Sequence, residues 1–144
     1  MSEQVREDSR SARAGGPRRD VRVLTVDDQD VFRRVAGEVI EATAGFESVG
    51  EAASGEEAVD TAARLHPDLV LLDVRMPGIG GIEAARRIAS SSPRTIVVLI
   101  SIEDPAEIAH AARGSGAAAL VRKQEFNPAL LRRIWQDHGE GAAG

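Results

Sequence analysis

Apolar residues along the chain fall into short runs separated by amphipathic stretches. Runs rich in branched side chains occupy 22–26, 46–51, 69–73, 95–100 and 118–122, with starts 23 to 26 residues apart. Each interval accommodates one helix and two short loops. The stretches between them carry apolar residues at helical spacing, Val31, Val35 and Val39 in the first and Ile82, Ala85 and Ile88 in the third. These stripes are expected to face a core. Leu69 to Leu72 and Ile96 to Ile100 are apolar without alternation, the pattern of central parallel strands covered on both faces. Five alternations of strand and helix predict an α/β fold.

Helix punctuation agrees with this reading. Ser54 with Glu57 three residues on predicts a capping-box start for the second helix, and Pro67 follows its end. Pro105 and Pro128 suit the first turns of the fourth and fifth helices. The last helix is expected to carry Leu130, Leu131, Ile134 and Trp135. Residues 1–20, rich in Ser, Arg, Gly and Glu, read as a disordered tail, 21–138 as the folded domain and 139–144 as a short small-residue tail.

Composition narrows the functional classes. A length of 144 residues suits one domain. Cysteine is absent, which excludes disulfide scaffolds, zinc ribbons and thiol catalysis. No apolar run reaches membrane length and the start carries no signal-peptide stretch, so a cytoplasmic protein without membrane contact is expected. With 18 basic and 23 acidic residues the net charge is -5, which speaks against direct nucleic-acid binding. Lys123 is the single lysine among seventeen arginines. A compact ammonium at one place in such a chain marks a candidate functional cation.

Ligands of open α/β sheets bind at the carboxyl ends of the strands. That edge receives Asp27 and Asp28 from the first strand, Asp73 from the third, Ser101 from the fourth and Lys123 from the fifth. Singly, each has an ordinary reading: a loop start or helix cap for Asp27 and Asp28, a strand end for Asp73, a turn cap for Ser101, a solvated charge for Lys123. Gathered on one edge, they combine hard oxygen ligands that suit Mg²⁺ with a cation and a hydroxyl. A divalent ion there would leave one carboxylate able to act as nucleophile, with the ammonium and hydroxyl on the oxygens of a transferred phosphoryl group. Other candidates are weaker. His66, His110 and His138 share no ligand spacing, and Gly78, Gly80 and Gly81 are turn glycines without the lysine of a phosphate loop. Gly114-Ser115-Gly116 is one residue too tight for an acyl-hydrolase elbow.

In this order and spacing the residues resemble a response-regulator receiver domain of bacterial two-component signalling, over about 22–135. The resemblance is carried by Val26-Asp27-Asp28, by Leu71-Leu72-Asp73-Val74-Arg75-Met76-Pro77-Gly78 with Gly81, by Ser101, by Lys123, and by the stretch 49–59. It implies a flavodoxin-like, doubly wound sheet of strand order 2-1-3-4-5 with five helices. It also implies that Asp73 takes a phosphoryl group from a sensor histidine kinase or phosphotransfer protein. Mg²⁺ would be bound by Asp28, Asp73 and the Arg75 backbone carbonyl, with Asp27 acting through water. Ser101 and Lys123 would contact the phosphoryl group. The implied role is a phosphoacceptor switch, not an enzyme, that signals to a downstream protein through its fourth helix, fifth strand and fifth helix. The chain stops shortly after Trp135, so it reads as a stand-alone receiver or an excised one.

Three departures from the family pattern stand out. Leu120 stands where the family usually has Tyr or Phe as a rotamer switch. Gln124 follows Lys123 where Lys-Pro is common, so a trans bond or a rearranged loop is expected. Arg75 and Glu103 flank the acceptor with long side chains placed to pair over the site and slow the access of water. Two other readings stand beside the main one. A pseudo-receiver, acting as a phosphorylation-independent binding module, is kept open by Leu120, although the intact acidic set argues against it. An aspartyl-phosphate phosphatase needs a second Asp two residues after its nucleophile, where this chain has Arg75.

Overall fold

Alternation of side chains across five strands builds one sheet between two helical layers. The computed structural model describes residues 19–140. Its strands are β1 (Val21–Val26), β2 (Phe46–Ala52), β3 (Leu69–Asp73), β4 (Ile96–Ser101) and β5 (Ala119–Arg122), all parallel, in the expected order β2-β1-β3-β4-β5. The helices are α1 (Asp30–Glu41), α2 (Gly55–Leu65), α3 (Gly80–Ser91), α4 (Pro105–Ala112) and α5 (Pro128–Ile134). Leu24, Val26, Val70, Leu72, Val97 and Leu99 pack toward α2, α3 and α4. Val23, Leu69, Leu71, Val98 and Ile100 pack toward α1 and α5. Consecutive residues of one strand serve opposite layers, which is why β3 and β4 are apolar up to their last residues, Asp73 and Ser101.

Local signals act as the residue types require. Ser54 Oγ accepts the Glu57 N–H at 3.0 Å, while the Glu57 carboxylate accepts the N–H of Ala53 at 2.8 Å, closing the α2 cap one residue further out than the usual box. Asp104 and Asn127 cap α4 and α5, each followed by its proline. Among the described residues no helix is long and apolar enough to cross a membrane.

Two expectations are corrected. The valine stripe of α1 does not face the core: Val31 is 58% and Val35 45% exposed, and the buried positions are Ala36 and Ile40, with Phe32 partly buried one turn before. Both sets have helical spacing. Apolar residues at 31, 32, 35, 36, 39 and 40 cover a wider arc than the sheet can bury, and the sheet takes the flank bearing the larger Phe32 and Ile40. The tail expected over 139–144 loses its first two residues to a π-helical turn, Trp135–Glu140, in which the buried Gly139 lies so close to the Trp135 ring that a Cβ would overlap it. Residues 141–144 lie outside the described residues. So does the tail expected over 1–20, apart from its last two residues, of which Arg19 pairs with Asp68 at 3.2 Å.

The loop from β3 to α3 fixes the end of β3. Gly78 and Gly80 take φ of +83° and +77°, and the Glu56 carboxylate accepts the Ile79 N–H at 3.2 Å. A Cβ on Gly81 would lie 1.9 Å from the carbonyl oxygen of Asp73. Gly81→Ala is therefore expected to destabilise the fold by about 2 kcal/mol or more, measured by urea denaturation.

Candidate functional site

The carboxyl ends of β1, β3, β4 and β5 deliver five polar side chains to one cleft. Asp27 follows β1 and is fully buried. Its Oδ1 accepts the Gln29 N–H at 2.8 Å, fixing the turn into α1, and its Oδ2 meets Lys123 Nζ at 2.6 Å. Arg33, one turn into α1, donates to the Asp27 carbonyl at 2.7 Å and pairs with Glu51 at 2.9 Å. Asp27 thus serves both as a loop-starting acceptor and as the partner of the lone ammonium. Asp73, at the end of β3, is 6% exposed, and its Oδ1 lies 3.7 Å from the same Nζ. Asp28 sits exposed at the rim.

Lys123 opens a short 3-10 turn, Lys123–Glu125, directly after β5. The Lys123–Gln124 bond is trans, one of the two expected outcomes, since no peptide bond among the described residues is cis. Its side chain is 14% exposed, and Nζ lies 4.8 Å from the centroid of the Phe32 ring. Ser101, buried at the end of β4, accepts the Glu103 N–H on Oγ at 3.0 Å. Its hydroxyl proton remains available to a further acceptor.

Together Asp28, Gln29, Asp73, Arg75, Ser101, Ile102, Glu103 and Lys123 line a cleft of about 410 Å³. Arg75 and Glu103 meet across it in a two-point ion pair, Nε and Nη2 each 2.9 Å from a carboxylate oxygen. This hydrogen bond and charge pairing hold the Glu103 carboxyl below its ordinary range. The loop after β4 has two further tethers: Arg122 pairs with Asp104 at 3.2 Å, and Gln124 donates to the Ile102 carbonyl at 3.4 Å. Leu120 lies elsewhere. It pairs in register with Leu99, packs into the layer of α2, α3 and α4, and lines a shallow groove with Ala109, Ala112 and Ala117.

Electrostatics make Asp73 the unusual acid. Burial first, then the adjacent charge of Asp27, push its pKa up to about 6, against the opposing pull of Lys123 and the Arg75 backbone N–H. Carboxylate oxygens of Asp27, Asp28 and Asp73 lie within 4.8 Å of one another. Hard oxygens crowded around a single ammonium fit a small divalent cation such as Mg²⁺, which would relieve their mutual repulsion.

The comparisons with known proteins agree with this geometry. The family description "Response regulator receiver domain" matches residues 23–135. The chain belongs to the response regulator receiver family. This receiver is 39% identical over 112 residues to response regulator GacA of Pseudomonas viridiflava, covering 71% of the chain and 52% of that protein. It is 42% identical over 105 residues to a protein-glutamate methylesterase/protein-glutamine glutaminase of Myxococcus xanthus, covering 72% of the chain and 30% of that protein. The chain thus spans about half, or less, of the curated relatives it matches. The receiver domain of NarL from Mycobacterium tuberculosis superposes with a TM-score of 0.76 at 31% identity, covering 83% of this chain and 96% of that one. A chain from a CheX-CheY complex of Borrelia burgdorferi with BeF3 and Mg superposes with a TM-score of 0.72 at 26% identity, covering 81% and 87%. The fold is flavodoxin-like.

The cleft brings together Asp28, Asp73, Ser101, Lys123, Arg75 and Glu103, with Asp27 buried against Lys123; it does not include Leu120. Sequence reasoning missed Phe32, Gln29 and Arg33. The signal for them was their place at the N-terminal end of α1, which Gln29 caps just after Asp27 and Asp28 and which therefore overhangs the cleft.

The raised Asp73 pKa has a consequence for stability. Above about pH 6 the carboxylate is charged in both states and its burial penalty acts in full; below the ordinary value of 3.8 it is protonated in both and the penalty vanishes. Asp73→Asn is expected to stabilise the metal-free protein by about 1–3 kcal/mol at pH 7.5, with the gain gone near pH 3.5 if the acid form still folds there. Urea titrations at several pH values in EDTA measure it.

Proposed function

We propose that this receiver, acting in the cytoplasm, accepts a phosphoryl group on Asp73 from the phosphohistidine of a sensor histidine kinase or phosphotransfer protein, using Mg²⁺. The observation that carries this reading is the convergence of Asp73, Lys123 and Ser101 on one cleft beside Asp27 and Asp28. Asp28, Asp73 and the Arg75 carbonyl would hold the ion, with Asp27 acting through water. When bound, Mg²⁺ supplies positive charge to the oxygens of the incoming group and to the acids around it. An Asp73 oxygen attacks phosphorus, the P–N bond to the donor histidine breaks, and the imidazole leaves with the bonding pair. Lys123 and the Ser101 hydroxyl then take phosphoryl oxygens, so that Lys123 is drawn from Asp27 toward Asp73. The beryllofluoride and Mg named for the CheY relative's complex support this chemistry by analogy.

Arg75 stands where an aspartyl-phosphate phosphatase keeps its acid and base, and its guanidinium is bound to Glu103. The chain reads as a phosphoacceptor, not as a turnover enzyme. Signal output runs by protein contact over α4, β5 and α5, through the groove lined by Leu120 in place of an aromatic rotamer switch.

Intact mass after incubation with acetyl phosphate tests the reading. A gain of one phosphoryl group that requires Mg²⁺ and is absent in Asp73→Asn is expected; no gain in folded wild type favours the phosphorylation-independent binding module. Arg75→Ala opens the ion pair across the cleft and is expected to shorten the lifetime of the phosphorylated form severalfold, followed by the same mass assay after donor removal.

A further inference from the structure

We propose that Phe32 is a positioning residue for Lys123, its ring holding the ammonium between Asp27 and Asp73 before a phosphoryl group arrives. The inference rests on the phosphoacceptor reading above. A lysine side chain has four rotatable bonds, so an ammonium lining an open cleft has many alternatives to the productive position. Here three contacts restrict it: Asp27 Oδ2 at 2.6 Å, Asp73 Oδ1 at 3.7 Å, and the Phe32 ring centroid at 4.8 Å. The carboxylate of Asp73 is beyond hydrogen-bond distance, and Asp27 alone would anchor the cation on the β1 side. The ring supplies attraction from α1, within the roughly 6 Å over which a cation responds to an aromatic face.

The ring is itself fixed. Phe32 packs against the core cluster of β1, β3, β4 and α5, on the same helix flank as Ala36 and Ile40. A phenyl face attracts Nζ without accepting one of its hydrogen bonds as a carboxylate would, and it adds no charge to a cleft that already holds three acids. The cation is thus retained yet free to turn its N–H donors from Asp27 toward an oxygen on Asp73. An aliphatic side chain at 32 would keep apolar contact with the core but exert no such pull.

Lys123 is the single lysine, so the chain labelled with ¹³C-lysine gives one side-chain ε-methylene signal. In the metal-free protein that signal is expected upfield of the free-lysine position through the ring current, to return toward it in Phe32→Leu, and to stay shifted in Phe32→Tyr. Affinity for beryllofluoride with Mg²⁺ is expected to fall roughly three- to tenfold in Phe32→Leu and to recover in Phe32→Tyr. A wild-type signal at the free-lysine position overturns the proposal, as does unchanged beryllofluoride affinity in Phe32→Leu. Failure of wild type to bind beryllofluoride at all, with the lysine signal still shifted, overturns the phosphoacceptor reading and the positioning role with it.

Discussion

The contact between Lys123 Nζ and Asp27 Oδ2, at 2.6 Å, is the interaction that makes the rest of the cleft possible. Asp27 is fully buried and Asp73 nearly so, and their carboxylates stand close together. Two buried anions would repel each other and resist desolvation, and one ammonium offsets only part of that. What is left over appears in Asp73, pushed up to about 6. A group that brings a divalent cation to this edge relieves a cost already present in the fold, so affinity for such a group and folding stability are coupled through the same charges.

The sheet bears this cost because its central strands β3 and β4 are apolar up to their last residues. β3 runs through four fully buried aliphatic residues before Asp73, and β4 through four before Ser101. A parallel strand with helices on both faces has no polar side, so its end is the first place where a functional group can stand. Only three residues separate β1 from α1, which brings Phe32 and Arg33 over the same edge.

Much of this was legible in the sequence because it depends on period and on strand ends. Unalternated runs such as Ile96 to Ile100 mark buried strands, and the residue after each run marks the ligand edge. The valines of α1 show where periodicity fails: Val31 and Phe32 differ by one position, and spacing alone does not say which flank meets the sheet. Phe32 was missed for the same reason, since its contact with Lys123 joins residues 91 positions apart and only the closed sheet brings them together. The Arg75 and Glu103 pair was foreseeable because both follow strands that pair in register, Asp73 beside Ile100.

Three of the long-range tethers described above end on one short stretch, Ile102 to Asp104: Arg75 reaches Glu103, Arg122 reaches Asp104, and Gln124 reaches the carbonyl of Ile102. Ser101 adds its own bond to Glu103. This stretch is the mechanical junction of the ligand edge, where the loops after β3, β4 and β5 are knotted together by side chains. Movement of any one of these loops therefore bears on the other two, and because Asp104 also caps α4, the junction ties the start of that helix to the ends of β3 and β5.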